Sequence, residues 1–299
     1  MAHAAELYIH EDSATAMMGS YGSAVRLVAD AAAEILVLWA TNQPAMRQHN
    51  SFVRQSSHSL SLDTCGHLLS ILQSPSSMGT PGVTGAVMWD SGVVLAKFIE
   101  HAVDSKRLLL KGKKVVELGS GCGLIGCVAA ILGASVILTD LHDRLKLLKK
   151  NVDANVGNQG NARGSARVME LTWGDDLGPV FLNPLPDFVI GSDVLSLIYL
   201  SIFIASVIGS DVIYSEDGVR DLIQTLRQLS GTHTTIFLAG ELRNDAVLEC
   251  FLEAAMEVFQ IGYIDQAQWH PEYRSQRVVL FVLVKKLGQE KMPSDYLSN

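Results

Sequence analysis

The chain has 299 residues, of which 48% are hydrophobic and 18% are charged. This balance provides enough apolar surface for a large core and excludes disorder over most of the chain. Acidic residues outnumber basic residues by 31 to 23, which gives a net charge of −8. A protein that mainly holds phosphate backbones usually carries a basic excess. The composition therefore predicts one large or two small globular domains whose main partner is not a nucleic acid.

The cysteines and the first residues indicate a cytosolic type of protein. No two cysteines form a Cys-X-X-Cys pair, so they are expected to be reduced thiols and to bind no metal. They are Cys65, Cys122, Cys127 and Cys250. The N-terminus lacks the basic and apolar regions of a secretory signal. Residues 194–210 are uncharged and mostly apolar, but the run is short for a bilayer span and is interrupted by serines. We therefore expect no membrane partner.

In chain order, the hydrophobic pattern first predicts a helix over residues 23–41, which ends before Pro44. Alternating residues at 59–63 and 67–72 flank a glycine turn and predict a β-hairpin. From residue 114 onward, strands and helices alternate. Strands are predicted at 114–118, 135–139, 166–171, 187–191, 234–239, 261–269 and 277–285, and helices at 124–132, 143–156, 216–229 and 246–259.

This alternation predicts a doubly wound, Rossmann-like α/β fold with a mainly parallel sheet. No helix separates the last two strands, so they are expected to pair antiparallel at one edge. The predicted division of the chain is an N-terminal helical extension over residues 1–57, a main domain over residues 58–286 and a C-terminal tail over residues 287–299.

A glycine-rich segment follows the strand at 114–118 and opens the next helix. It reads ELGSGCGLIG over residues 117–126, and Asp140 ends the following strand. Glycines let the backbone approach a ligand closely, and a carboxylate at this place can bind both ribose hydroxyls. The pattern predicts an adenosine cofactor. A carboxylate at Glu117 would repel a pyrophosphate and attract a sulfonium, which favours S-adenosylmethionine over NAD.

Five motifs together resemble the methyltransferase-like protein-lysine methyltransferases, a seven-β-strand class that depends on S-adenosylmethionine. The motifs are GAVMWDS (85–91), VELGSGCGLIG (116–126), LTD (138–140), LTWG (171–174) and GSDVIY (209–214). The resemblance covers roughly residues 58–286, and the chain is identified as a plant-type member with an 18-residue insertion. It implies the strand order 3-2-1-4-5-7-6 with the last strand antiparallel, a lysine-bearing protein substrate, and a cytoplasmic or nuclear location.

The resemblance also implies roles for individual residues. It places Trp89 over the methionine end of the cofactor, and Trp173 beside the adenine. The remaining cofactor-binding residues that it implies are Glu117, Gly119, Ser120, Gly121, Asp140 and Ser210. Asp211 would orient the substrate ammonium and help it to lose a proton, and Tyr214 would line the lysine channel. Plain core packing is the alternative for each tryptophan.

One segment departs from the family pattern. The hexapeptide VIGSDV occurs twice, at residues 189–194 and 207–212, as if 18 residues had been inserted in frame. Either copy can form the central strand. We favour the second copy, because Asp211 is followed directly by Ile213 and Tyr214. The first copy keeps a normal short lead-in to the strand but would displace Asp211 from the site.

The duplication keeps alternatives to a protein-lysine methyltransferase open. One is a methyltransferase of a small molecule. Another is an inactive protein that retains the fold and binds partners. An NAD-dependent enzyme is a fourth possibility, because GCGLIG at 121–126 also fits the GxGxxG pattern.

Overall fold

The structure is a computed structural model that describes residues 14–42, 51–76, 85–157, 163–194 and 214–287. Within these residues, nine strands form one sheet and two strands form a separate hairpin. The strands of the sheet are β1 (Thr15–Met18), β2 (Tyr21–Leu27), β5 (Lys114–Leu118), β6 (Ser135–Asp140), β7 (Ser165–Glu170), β8 (Phe188–Ser192), β9 (Thr235–Glu241), β10 (Phe259–Tyr263) and β11 (Val278–Lys285). The hairpin consists of β3 (Ser59–Thr64) and β4 (His67–Leu72).

The strand order across the sheet is β1-β2-β10-β11-β9-β8-β5-β6-β7. Strands β7, β6, β5, β8 and β9 are parallel neighbours, and β11 runs antiparallel to both β9 and β10. Counted from β5 along the chain, the last seven strands have the order 3-2-1-4-5-7-6. The predicted doubly wound α/β fold and its core strand order are therefore confirmed, and two N-terminal strands extend the sheet beyond β10.

Helices cover both faces of the sheet. They are α1 (Ala31–Asn42), α2 (Asp90–Asp104), α3 (Leu124–Ile131), α4 (Leu145–Val152), α5 (Pro179–Leu182), α6 (Tyr214–Leu229) and α7 (Asp245–Val258). Buried side chains of α2, α3 and α4 form one hydrophobic core, and those of α1, α6 and α7 form the other. The central parallel strands are consequently apolar on both faces, which is usual for a sheet covered by helices on each side.

Three predicted elements differ from the structure. Residues 23–27 are not helical but belong to β2, which pairs with β10 through Leu27 and Gly262. The helix begins only after Asp30, whose carboxylate accepts the N–H of Ala33 at 2.8 Å and caps its first turn. Strand β10 ends at Tyr263 instead of continuing to residue 269. The predicted helix over residues 143–156 is α4 between a 3-10 turn and a π-helical turn at Asp153–Gly157.

The first copy of the duplicated hexapeptide forms the central strand, so the preference for the second copy was wrong. Residues Phe188–Ser192 pair with β5 on one side and with β9 on the other. The start of this strand is fixed by Asp187, whose carboxylate accepts from Lys113 Nζ and from the backbone N–H of Lys114, both at 2.8 Å. The chain therefore enters the strand directly after Asp187. Residues 195–213, which include the second copy, lie outside the described residues.

None of the helices in the described part of the chain combines the length and apolar character needed to cross a membrane. The same residues contain no group of three or more His, Cys, Asp or Glu side chains that could hold a metal ion.

Candidate active site

The glycine-rich loop lies at the carboxyl end of β5, where ligands bind in open α/β sheets. Gly121 has φ of 51°, a left-handed conformation that favours glycine. A β-carbon at Gly121 would lie 3.2 Å from the carbonyl oxygen of Gly85, so a second segment crosses closely over this loop. Glycine at positions 85 and 121 therefore allows the two backbone segments to approach each other closely at the mouth of the site.

Asp140 ends β6 and holds the glycine loop. Its Oδ2 accepts the N–H of Gly121 at 2.7 Å, and its Oδ1 accepts the N–H of Leu141 at 2.8 Å. Burial raises the pKa of Asp140 above its ordinary value, and these two backbone hydrogen bonds oppose the rise. The carboxylate thus lies beside the loop at the place that the sequence predicted for a ribose-binding group.

The loop also contains a buried hydroxyl. Ser120 Oγ lies beside the buried Glu117 carboxyl and interacts with it, but it makes no hydrogen bond of good geometry within the described residues. A hydroxyl in this position can turn toward a ligand that contacts the loop. Together with the glycine loop and the Asp140 carboxylate, Ser120 fits an adenosine cofactor with hydroxyl and amino-acid groups.

Glu117 is placed differently from the expectation that it would face the cofactor. Its side chain is buried beneath α3, where Oε2 accepts the N–H of Gly126 at 3.1 Å. A β-carbon at Gly126 would lie 2.5 Å from Glu117 Oε2, which shows how closely the helix covers this carboxyl. Burial raises the pKa of Glu117 to about 8. Glu117 therefore supports the loop and the helix start, mostly as a neutral carboxylic acid at pH 7.

We expect the substitution Glu117→Gln to reduce the pH dependence of stability. The folded-state pKa of about 8 exceeds the ordinary value of 4.5, so the wild type loses stability as pH rises between these values. At pH 5 the two proteins should be similarly stable. At pH 8.5 the variant should have a higher free energy of unfolding, by up to about 4 kcal/mol. Urea unfolding at both pH values measures the difference.

Glu170→Gln is a matched control for this substitution, because Glu170 ends another parallel strand of the same sheet, β7, but is exposed. It should leave the pH dependence of unfolding as it is in the wild type. Parallel stability curves for the wild type and Glu117→Gln across this pH range would contradict a buried, protonated Glu117.

Two asparagines, one in α4 and one in the π-helical turn that follows it, hydrogen-bond to strand β4 of the hairpin. Asn151 Oδ1 accepts the N–H of Leu72 at 2.8 Å, and Asn151 Nδ2 donates to the carbonyls of Leu72 and Cys122 at 3.0 and 2.9 Å. One helical turn later, Asn155 makes the same pair of bonds with Ser70, both at 2.9 Å. Only Asn151 also reaches the glycine loop, because Cys122 belongs to that loop.

We expect Asn151→Ala to lower both stability and cofactor affinity. The change leaves buried backbone groups of Leu72 and Cys122 without partners, which costs about 3 kcal/mol of unfolding free energy. Asn155→Ala should cost a similar free energy but leave the affinity for S-adenosylhomocysteine unchanged. Calorimetric titration and thermal unfolding of both variants separate the two effects. Equal affinity losses in both variants would show that Asn151 has no specific connection to the loop.

Trp89 immediately precedes α2 at the other side of the cleft. Its ring is half-buried and contacts the guanidinium of Arg243, whose Cζ lies 4.0 Å from the ring centroid. The following residues pack on the end of β8, since a β-carbon at Gly92 would lie 3.4 Å from Ser192 Oγ. Residues 85–92 therefore cross the carboxyl edge of the sheet from the glycine loop to β8.

Trp173 follows β7 and packs with the core formed by α1, α6 and α7. The next residue, Gly174, is tied to α6 by a hydrogen bond from its N–H to Thr225 Oγ1 at 2.9 Å. These contacts place Trp173 between the sheet edge and α6. Its role beside the adenine stays a prediction.

At the end of β8, the structure brings Asp193 into the site in place of Asp211. Asp193 is 5% exposed and has φ of 52°, which turns the chain sharply after the strand. Its carboxylate accepts from Ser91 Oγ and, at 3.1 Å, from the N–H of Glu241. Asp211 and Ser210 lie outside the described residues. Tyr214 is the first residue of α6, and its assigned role stays a prediction.

Asp193 was missed by the sequence reasoning although it carried a signal. It occupies in the first hexapeptide the position that Asp211 occupies in the second, and Ser192 is likewise the counterpart of Ser210. The bond from Ser91 gave no such signal, because it joins residues that lie 102 positions apart in the sequence.

The fold and this site define a nucleoside-cofactor enzyme with a carboxylate at the end of the fourth core strand. A sequence model described as lysine methyltransferase matches residues 69–204. Protein N-lysine methyltransferase METTL21A of Mus musculus is 35% identical over 213 residues, covering 71% of this chain and 84% of that protein. EEF1A lysine methyltransferase 3 of Mus musculus is 35% identical over 205 residues, covering 69% and 75% respectively.

Solved structures also match the chain. The glycopeptide N-methyltransferase MtfA, complexed with S-adenosylmethionine, has a TM-score of 0.43 at 12% identity and covers 64% of this chain and 95% of its own. A TehB-like methyltransferase from Corynebacterium glutamicum has a TM-score of 0.42 at 15% identity, with coverages of 68% and 90%.

The chain belongs to the protein lysine methyltransferase family. The prediction of an S-adenosylmethionine-dependent enzyme that methylates lysine in a protein substrate is thereby confirmed. The plant-type assignment stays a prediction.

Proposed function

We propose that Asp140 and the loop of Gly119, Ser120 and Gly121 hold S-adenosylmethionine, and that Asp193 receives the lysine ammonium. The observation that carries this proposal is the position of Asp193 at the end of β8, since β8 pairs directly with the strand that leads into the glycine loop. Neighbouring strands lie about 4.8 Å apart, so a methyl donor on the loop and an amine at Asp193 are within reach of each other.

When bound, the cofactor supplies an electrophilic methyl group. Asp193 contributes orientation and charge, because its carboxylate is fixed by Ser91 and by the N–H of Glu241. A fixed carboxylate attracts an ammonium, aligns its nitrogen and can accept, as a general base, the proton that must leave before methyl transfer. Alignment of the reacting atoms accounts for a large part of the rate in such transfers.

Protein is the macromolecular partner in this proposal, without nucleic acid or membrane. The net charge of −8 supports a basic substrate and disfavours phosphate backbones. The name of one relative specifies EEF1A as the protein on which it acts, and we extend to this chain only the residue type, a lysine. Four free cysteines support a cytoplasmic or nuclear location.

The proposal is tested by incubating the purified chain with tritiated S-adenosylmethionine and a cell extract. We expect a labelled protein band whose hydrolysate contains methyl-lysine. Label found only in the low-mass fraction would support a small-molecule substrate instead. A folded sample that binds S-adenosylhomocysteine but labels nothing would support the inactive, partner-binding alternative.

A further inference from the structure

Arg243 presents unused hydrogen-bond donors at the edge of the site. Its guanidinium lies over the Trp89 ring, with Cζ 4.0 Å from the ring centroid, and its side chain is 31% exposed. Nε and Nη2 both approach Glu241 Oε2, at 3.2 and 3.0 Å. Among the described residues Nη1 contacts no acceptor, so one side of the planar fork remains available to a ligand.

The orientation of Arg243 is restricted by its contacts with Glu241 and Trp89. Glu241 is buried, and its Oε2 also accepts from Arg277 Nη2 at 2.9 Å. Contact with the Trp89 ring further restricts the guanidinium. A cation held by a buried carboxylate and an aromatic ring is preorganised for binding, because little rotamer entropy is lost when a ligand arrives.

The place of Arg243 relative to Asp140 suggests which ligand group it meets. Asp140 ends β6 and Arg243 follows β9, which are separated by β5 and β8. Three strand spacings amount to about 14 Å, and the Arg243 guanidinium lies over Trp89, within the segment 85–92 that crosses this edge of the sheet from the glycine loop to β8. A cofactor whose ribose lies at Asp140 therefore directs its amino-acid end toward Trp89 and Arg243.

We propose that Arg243 binds the α-carboxylate of S-adenosylmethionine, with Glu241 as the residue that positions it. The inference rests on the cofactor site of the proposed function. The carboxylate is the anionic group of this ligand, while its sulfonium and ammonium are cationic. A guanidinium at the amino-acid end complements that carboxylate, and Asp193 lies close by as a carboxylate for cationic groups.

The test compares two ligands that differ only in this group, S-adenosylmethionine and its decarboxylated form, S-adenosylmethioninamine. Calorimetric titration should show that Arg243→Gln weakens binding of S-adenosylmethionine by about 10- to 100-fold. Binding of the decarboxylated ligand should not change. The ratio of the two affinities isolates the contact between Arg243 and the carboxylate.

Two variants provide controls. Arg243→Lys keeps the charge without the fork and should give an intermediate ratio. Arg220→Gln removes an exposed arginine that pairs with Asp217 on α6, and it should keep the wild-type ratio. Equal weakening of both ligands by Arg243→Gln would overturn the inference in favour of a structural role. If Arg243→Gln leaves both ligand affinities unchanged but slows methylation at limiting protein substrate, Arg243 contacts the protein substrate and the inference is overturned. A wild type that binds neither ligand would refute the cofactor site itself.

Discussion

Replacing Asp140 by asparagine is expected to weaken binding of S-adenosylhomocysteine by about 10- to 100-fold, because hydrogen bonds to a charged group contribute about 1.5–3 kcal/mol. The carboxylate accepts the N–H groups of Gly121 and Leu141 at 2.7 and 2.8 Å. Asparagine keeps one acceptor oxygen but replaces the other by a donor. The change therefore affects both the ribose contact and the loop, and calorimetry measures it directly.

Asp143→Asn is the matched control, because Asp143 lies three residues later and is exposed. Its substitution should leave the affinity at the wild-type value. If Asp140→Asn and Asp143→Asn bind the ligand equally well, the cofactor does not lie at the end of β6.

Asp193→Asn is expected to lower the methyl-transfer rate by at least about 100-fold, which is within the range for positioned proton-transfer groups. The affinity for S-adenosylhomocysteine should not change, because Asp193 acts on the amine. The chain contains its own matched control, since Asp211→Asn makes the same substitution within an identical hexapeptide. If Asp193 receives the amine, Asp211→Asn should retain the wild-type rate. The rate of tritium transfer to protein measures both variants.

The opposite result, with loss of transfer only in Asp211→Asn, would restore the second copy to the central strand. A deletion of residues 195–212 provides an additional comparison. It joins Asp193 and Val194 to Ile213 and Tyr214, so that a single Asp-Val-Ile-Tyr motif remains. We expect this shortened chain to be active, and Asp193→Asn within it should again abolish transfer.

The glycine loop and Asp140 could be predicted because their signal is local. A strand, a glycine turn and a carboxylate at the next strand end are contiguous in the sequence, and the fold requires them at one edge of the sheet. The core strand order could be predicted only through the family resemblance, since alternating strands and helices are compatible with several orders.

Other features depend on contacts that the sequence does not encode locally. Central strand β5 is buried on both faces, so hydrophobic alternation could not show that Glu117 points under α3 rather than into the cleft. Strand β2 pairs with β1 and also with β10, which lies more than 230 positions later in the sequence. Helix α2 follows the Trp89 motif and was not predicted at all.

The choice between the two hexapeptides could not be made from the copies themselves, because they are identical. Sequence reasoning gave more weight to the residues that follow Asp211 than to the residue that precedes the first copy. In the structure, that residue, Asp187, anchors the start of β8 to Lys113 and Lys114, and the copy that follows it forms the strand.

The two N-terminal strands have a consequence for the solubility of the folded chain. Without them, β10 would be the last strand of the sheet, and its unpaired backbone N–H and C=O groups would be open to pairing with other molecules. Strand β2 pairs with it instead, and the outermost strand of the described part of the sheet is β1, which has only four residues and an irregular register between Met17 and Met18. A short, irregular border of this kind offers a poor template for edge-to-edge aggregation.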